Sequence, residues 1–154
     1  MLGVSKTEFA PHAPSSPAMI ALSLARFFNV DLSSYNTAGG TWYAEAMAWA
    51  ADAGLFDGFS NLQHDMKIER GQLMVVIERA VKLAGIDASV TDEIVSFADA
   101  DEMTDEEQHV FRLLYKLGIV RGKNDDIMDP RGVSTRAELA AILHRIKLYE
   151  QKAQ

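Results

Sequence analysis

Apolar residues recur at helical spacing in five segments, and this pattern predicts helices over 17–28, 42–53, 69–84, 104–117 and 135–150. Within each, the apolar positions fall at i, i+3 or i+4 and i+7, so each helix carries one stripe that must be buried. The linkers at 29–41, 54–68, 85–103 and 118–134 hold most of the glycine and turn-forming residues. Gly54 and Gly118 each follow a helical segment directly, where a left-handed C-terminal cap is required. Short extended pieces are expected at Leu2-Gly3-Val4 and Ile127-Met128.

Part of this pattern is repeated. Gly118-Ile119-Val120-Arg121-Gly122 is followed by Asp129-Pro130 and then by Thr135-Arg136-Ala137-Glu138-Leu139. A weaker copy reads Gly54-Leu55-Phe56-Asp57-Gly58, then Ile68-Glu69-Arg70-Gly71-Gln72-Leu73. A degraded copy opens the chain, with Gly3-Val4, Phe9-Ala10-Pro11 and Ser16-Pro17-Ala18-Met19-Ile20. Setting Pro17, Arg70 and Arg136 as equivalent aligns Ile20, Leu73 and Leu139, then Leu24, Ile77 and Leu143, then Arg26, Arg79 and Arg145. Such agreement in apolar and basic positions marks a repeat protein. No single helix can bury its own stripe, so the three are expected to pack together.

The helix starts differ among the copies. Thr135 with Glu138, and Thr104 with Glu107, form the capping-box signature. Glu69 and Gln72 hold those places in the second copy, a poorer cap that still sets a negative charge at the positive end of the helix dipole. In the first copy Ser16 caps and Pro17 takes the first helical position, so the helix is kept and the arginine is lost. That unit also lacks the helix that precedes the glycine loop in the other two. Either its start is cut or divergent, or another segment supplies the helix. The stripe Ile20, Leu24, Phe27 and Phe28 is then expected to be only partly covered, leaving a patch above the few hundred Å2 usual for a monomer. Self-association, or docking of a helix from outside the chain, would cover it.

Composition narrows the function. The 154 residues fit one compact domain or a few small repeats sharing a core, and 48% are apolar, too many for a disordered chain. A net charge of −7 argues against nucleic acid or an anionic membrane surface as partner. The absence of cysteine removes disulfides, thiolate catalysis and cysteine zinc sites. No apolar run approaches the roughly 20 residues that span a bilayer, and Met1 to Ala21 has no continuous apolar core of the signal-peptide kind. A role outside the cell therefore implies a processed or partial chain.

Arg70 and Arg136 are the leading site candidates, because a guanidinium in a helix's first turn adds a bidentate donor where free N–H groups already favour an anion. They could instead pair with local acids such as Asp65 or Asp129. Arg136→Ala, as truncation of a surface arginine, should move stability by no more than about 0.5 kcal/mol. Trp42, at a helix start, could stack on a sugar, whereas Trp49 falls with Ala46 and Ala53 on the apolar face and is assigned to the core. Gly58 and Gly122 would allow a ligand close to the backbone, although tight-turn geometry explains them equally well. The four histidines form no metal motif, and Asp99, Asp101 and Asp105 suggest a solvated acidic helix start rather than a calcium loop. No nucleophile motif, P-loop or dinucleotide fingerprint occurs, so no catalytic residue, metal or cofactor is expected and no enzyme is indicated.

The glycine loop, the x-Pro turn and the Thr-Arg-Ala-Glu helix start together resemble the S-layer homology (SLH) domain. Its Phe-x-Asp opening appears as Phe97-Ala98-Asp99, and Trp42-Tyr43-Ala44 to Ala53-Gly54 looks like the same helix in the second unit. The resemblance implies an all-α, pseudo-threefold bundle of three SLH-like helix-loop-helix repeats: a partial unit at 1–30, then units at 31–84 and 85–154. It also implies non-covalent anchoring to a secondary cell-wall polysaccharide, an anionic and often pyruvylated glycan, at a bacterial cell wall or S-layer. Arg70 and Arg136 would then lie in grooves between units, with Trp42, Gly58 and Gly122 as further glycan-binding candidates. One groove would be defective at Pro17. The alternative is a protein–protein assembly module that has lost the glycan site; the missing arginine, Glu69 in place of a hydroxyl and the absent signal peptide favour it.

Overall fold

The computed structural model describes residues 8–35, 40–86, 95–124 and 126–153; the extended piece expected at Leu2–Val4 lies outside them. The described residues are helical: α1 (Pro17–Phe27), α2 (Ala44–Asp52), α3 (Arg70–Leu83), α4 (Asp105–Lys116) and α5 (Arg136–Ala153), with 3-10 turns at Ser33–Tyr35 and Ala100–Glu102. Extended pairing falls not at Ile127-Met128 but at two isolated bridges, Pro14 with Thr135 and Glu69 with Val133.

Local chemistry explains where the helices begin and end. Ser16 Oγ accepts the Met19 amide ahead of Pro17. At α4 the Thr104 and Glu107 side chains accept each other's amides at 3.2 and 2.8 Å, and Thr135 and Glu138 do the same at α5 at 3.3 and 2.9 Å. Gln72 accepts the Glu69 amide at 3.0 Å, so the weaker signature of α3 also supplies a bond. The ends of α1 to α4 share one device: a left-handed residue at Asn29, Gly54, Gly85 and Gly118. The next amide in each case turns back to the last helical turn, as from Val30 to the Ala25 carbonyl and from Ile119 to that of Leu114, both at 2.9 Å.

The starts of α1, α3 and α5 are tied to one another's loops in a closed order. The Ala18 amide donates to the His64 carbonyl ahead of α3. The Arg70 and Gly71 amides donate to Gly132 and Pro130 ahead of α5, and the Arg136 and Ala137 amides donate to Ala13 and Pro11 ahead of α1. Each helix thus spends its free N-terminal donors on the loop of the next. Proline at position 17 has no N–H, so α1 makes one such bond where the others make two. Between the loops, Ser15 and Ser134 are fully buried with their hydroxyls 2.5 Å apart, and the Ser134 amide donates to the Ile68 carbonyl.

The apolar stripes meet behind these loops. Ile20 and Leu24 of α1, Leu73 and Ile77 of α3, and Leu139 and Ile146 of α5 are completely buried in one cluster with Leu55, Phe111, Ile119 and Met128. The shorter helices lie outside this set, α2 against α1 and α4 against α3. Gly71 permits the second approach: a Cβ there would strike the Glu107 carboxylate and stand 3.3 Å from the Pro130 carbonyl. On α1 the stripe is fully buried at Ile20 and Leu24. Because α2 covers α1, Phe27 and Phe28 are half-buried, and with Trp49 they line a cavity of about 560 Å3 at the C-terminal ends of the long helices. Trp49 is buried in the core as expected.

Candidate functional site

A cleft of about 150 Å3 runs between α3, α5 and the loop after α4, lined by Arg70, Met74, Val120, Arg121, Gly122, Lys123, Glu138, Ala141, Ile142 and Arg145. Its position follows from the repeat. Arg70 opens α3, Glu138 and Arg145 lie on one face of α5 seven residues apart, and the left-handed turn at Gly118 swings residues 120–123 over the seam. The same loop walls a second, more open cavity of about 470 Å3 with Tyr115, Gly118 and Asn124.

Charge is distributed unevenly here. Four of the lining residues are cationic and one, Glu138, is anionic, in a chain whose net charge is −7. Glu138 receives Arg70 at 3.0 Å, Lys123 at 2.5 Å and the Thr135 amide at 2.9 Å. Burial alone would raise its carboxyl, but these hydrogen bonds and charges outweigh burial and hold it below the usual carboxylate value. Arg121 and Arg145 have no carboxylate partner among the described residues. Burial, then the charges of Arg121 and Arg70, push the Arg145 guanidinium below its ordinary value. A cleft with this surplus of positive charge stabilises an anion placed between Arg121, Lys123 and Arg145.

Arg70 and Arg136 hold the loops. Arg70 is 4% exposed; its Nε donates to the Met128 carbonyl at 2.9 Å and its terminal nitrogens to Glu138 at 3.0 Å and the Arg121 carbonyl at 3.3 Å. Arg136 is 5% exposed; its Nε donates to the Phe9 carbonyl at 2.8 Å, and its guanidinium lies 4.9 Å from the Phe9 ring centre. The acids proposed as local partners, Asp65 and Asp129, are not among these contacts. Nor are the arginines surface groups, so the expectation of a negligible stability cost does not apply to them.

Of the other sequence candidates, only Gly122 joins Arg70 in the cleft. A Cβ on Gly122 would stand 2.6 Å from the Ile127 carbonyl and closer still to that of Asn124, so the loop's own backbone requires this glycine. Gly58 occupies the equivalent loop before α3, at φ +83 with open space where a Cβ would be. That loop is clamped by Arg79, which donates to the Gly54, Leu55 and Asp57 carbonyls at 3.5, 3.2 and 2.9 Å and pairs with Glu106 at 3.1 Å. Arg79 is the repeat equivalent of Arg145, which has no hydrogen bond or ion pair among the described residues. Trp42 is 62% exposed and meets Tyr43 edge-on, and Tyr43 stacks on His64 at 4.3 Å. It therefore stands on the α1 side, by the loop next to Pro17.

Asp99 departs from its sequence reading. It is buried rather than solvated, and its carboxylate accepts the Met128 amide at 3.1 Å and the Asp129 amide at 2.7 Å. Asp101 and Asp105 are exposed, as a solvated acidic start implies. Arg121, Lys123, Glu138 and Arg145 were not singled out as site residues. The available signal was the recurrence of arginine at the tenth helical position and of a basic residue on either side of Gly122.

Part of the chain is similar to a known family, and most of it to parts of two larger proteins. Residues 34–72 match the family model of the S-layer homology domain, from the 3-10 turn through α2 to the first turn of α3. The chain is also 27% identical over 148 residues to the exoglucanase XynX of Acetivibrio thermocellus, covering 92% of this chain and 14% of that protein. The amylopullulanase of Thermoanaerobacterium thermosulfurigenes gives 27% identity over 148 residues, 92% of this chain and 8% of that enzyme. Residues 34–72 are thus similar to an S-layer homology domain, and the chain spans a small fraction of the length of the relatives it matches.

Proposed function

We propose that this chain anchors non-covalently to an anionic secondary cell-wall polysaccharide, of which a pyruvylated glycan is one example, through the cleft between α3 and α5. The carrying observation is the surplus of cations there, with Arg121 and Arg145 free of carboxylate partners among the described residues and one lining acid, Glu138, to offset four positive groups. A sugar carboxylate would sit among Arg121, Lys123 and Arg145. The adjoining cavity offers the 37% exposed ring of Tyr115 as a stacking surface for the next sugar. Arg70 would act mainly by holding this cleft open in shape, since its donors are already committed. A repeating polymer could engage more than one such site, and modest affinities would then combine through effective concentration.

The closed order of loop-to-helix hydrogen bonds supports three units, with boundaries at 1–30, 31–84 and 85–154. Sedimentation with purified cell walls, before and after chemical removal of the secondary polymer, tests the function. Binding should depend on the polymer, weaken with salt and fall on Arg145→Glu. Polymer-independent binding would defeat the reading. The second reading, a protein assembly module that kept the scaffold, draws support from the burial of Arg70 and Arg136 and from Pro17 in the arginine's place. It predicts no wall binding and a retained protein partner.

A further inference from the structure

We infer that Asp99 is a positioning residue of the cleft: it fixes the Met128 carbonyl that holds the Arg70 guanidinium, and so sets the cationic wall without touching a ligand. The chain of contacts is short. Asp99 Oδ1 and Oδ2 each lie 3.1 Å from the Met128 nitrogen, and Oδ2 accepts the Asp129 amide at 2.7 Å. The Ala98 amide donates to the Asp126 carbonyl at 2.9 Å, fastening the other side of the same turn. Asp129 sits at φ +54, a left-handed conformation unfavourable for a residue with a Cβ, and the carboxylate secures it. The carbonyl just before this kink belongs to Met128 and receives Arg70 Nε at 2.9 Å.

The other two loops make the coupling clearer. Ala10 has φ +50, and the carbonyl just before it, that of Phe9, receives Arg136 Nε. A left-handed residue followed on the helix side by a buried guanidinium is therefore a device used at both arginines. The loop before α3 has its left-handed residue at Asn61, φ +53, but the helix it serves starts with Pro17, and no guanidinium comes. The acid ahead of α2, Asp31, is exposed and among the described residues accepts the Ser33 amide at 2.9 Å. Where the arginine is absent, this nearby acid does not clamp the loop.

The functional half of this inference rests on the glycan reading, whereas its structural half does not, and the test separates them. In the folded wild-type protein the Arg70 Nε–H should give a slowly exchanging NMR signal. Asp99→Asn, which exchanges one carboxylate oxygen for a donor, should shift that signal and speed its exchange. Asp99→Glu, which keeps the charge and changes the reach, should do so as well, and it serves if the first variant fails to fold. Asp101→Asn, an equal charge change at an exposed neighbour, should leave it alone. With purified cell walls bearing their secondary polymer as the probe, Asp99→Asn should weaken binding about tenfold but cause no further loss when Arg70 is already Lys. An unchanged Arg70 signal in a folded Asp99 variant would overturn the positioning role, as would losses that multiply with Arg70→Lys. If wild-type protein ignores walls while the Arg70 signal responds, the anchoring function fails and the positioning of Arg70 stands.

Discussion

Replacing Arg70 by alanine should separate the cleft's structural cation from its uncommitted ones. The side chain makes hydrogen bonds to the Met128 carbonyl, Glu138 and the Arg121 carbonyl, and it is nearly inaccessible to solvent. A charge-assisted bond contributes roughly 1 kcal/mol or more net, and a buried carbonyl left unpaired adds a desolvation cost. The Glu138 carboxylate keeps Lys123 and the Thr135 amide, so its loss is partial. Together these give about 3 kcal/mol. With a urea m-value near 2 kcal/mol/M for a chain of this size, the unfolding midpoint should fall by about 1.5 M at unchanged m. Arg145→Ala is the paired measurement. It removes no hydrogen bond or ion pair among the described residues and relieves repulsion with Arg121 and Arg70, so stability should stay within about 0.5 kcal/mol while wall binding falls. A cost under about 1 kcal/mol for Arg70→Ala, or an Arg145→Ala loss as large as that of Arg70→Ala, would refute the structural role of Arg70.

Three further outcomes follow from the geometry. Asn29→Ala places a Cβ-bearing residue with no local side-chain bond at φ +54 and should cost about 1 kcal/mol, with Asn29→Gly near neutral, as read from thermal midpoints. Because Glu138 titrates below its usual value in the folded protein, its stabilising contribution is complete above the unfolded-state value and disappears as pH falls through the folded one. The stability gap between wild type and Glu138→Gln, followed by urea melts, should therefore be full at neutral pH and close on acidification below about pH 4.5. Gly122→Ala sets a Cβ against the Ile127 and Asn124 carbonyls and should cost about 2 kcal/mol while distorting the cleft, seen as lost wall binding and shifted amide signals for residues 120–124.

The periodicity of apolar residues, with a Thr-Glu or Ser-Pro start and a glycine end, settled the five helices to within a few residues, because those signals act within one or two turns of the chain. The repeat alignment likewise brought Ile20, Leu73 and Leu139 to equivalent buried places. What sequence spacing could not decide was where the arginines point. Arg70 lies 58 residues from the carbonyl its Nε meets, and Arg136 lies 127 residues from Phe9. Only the closed packing of helix starts on neighbouring loops makes these partners adjacent, so apparent surface cations become buried clamps. The same long-range closure turned Asp99 from an expected solvated acid into a loop anchor, and covered the stripe of α1 with α2. It also left Arg121 and Arg145 without carboxylate partners among the described residues, for a charge is committed or free according to which loop folds over it, and that is a property of the assembled seam rather than of any one helix.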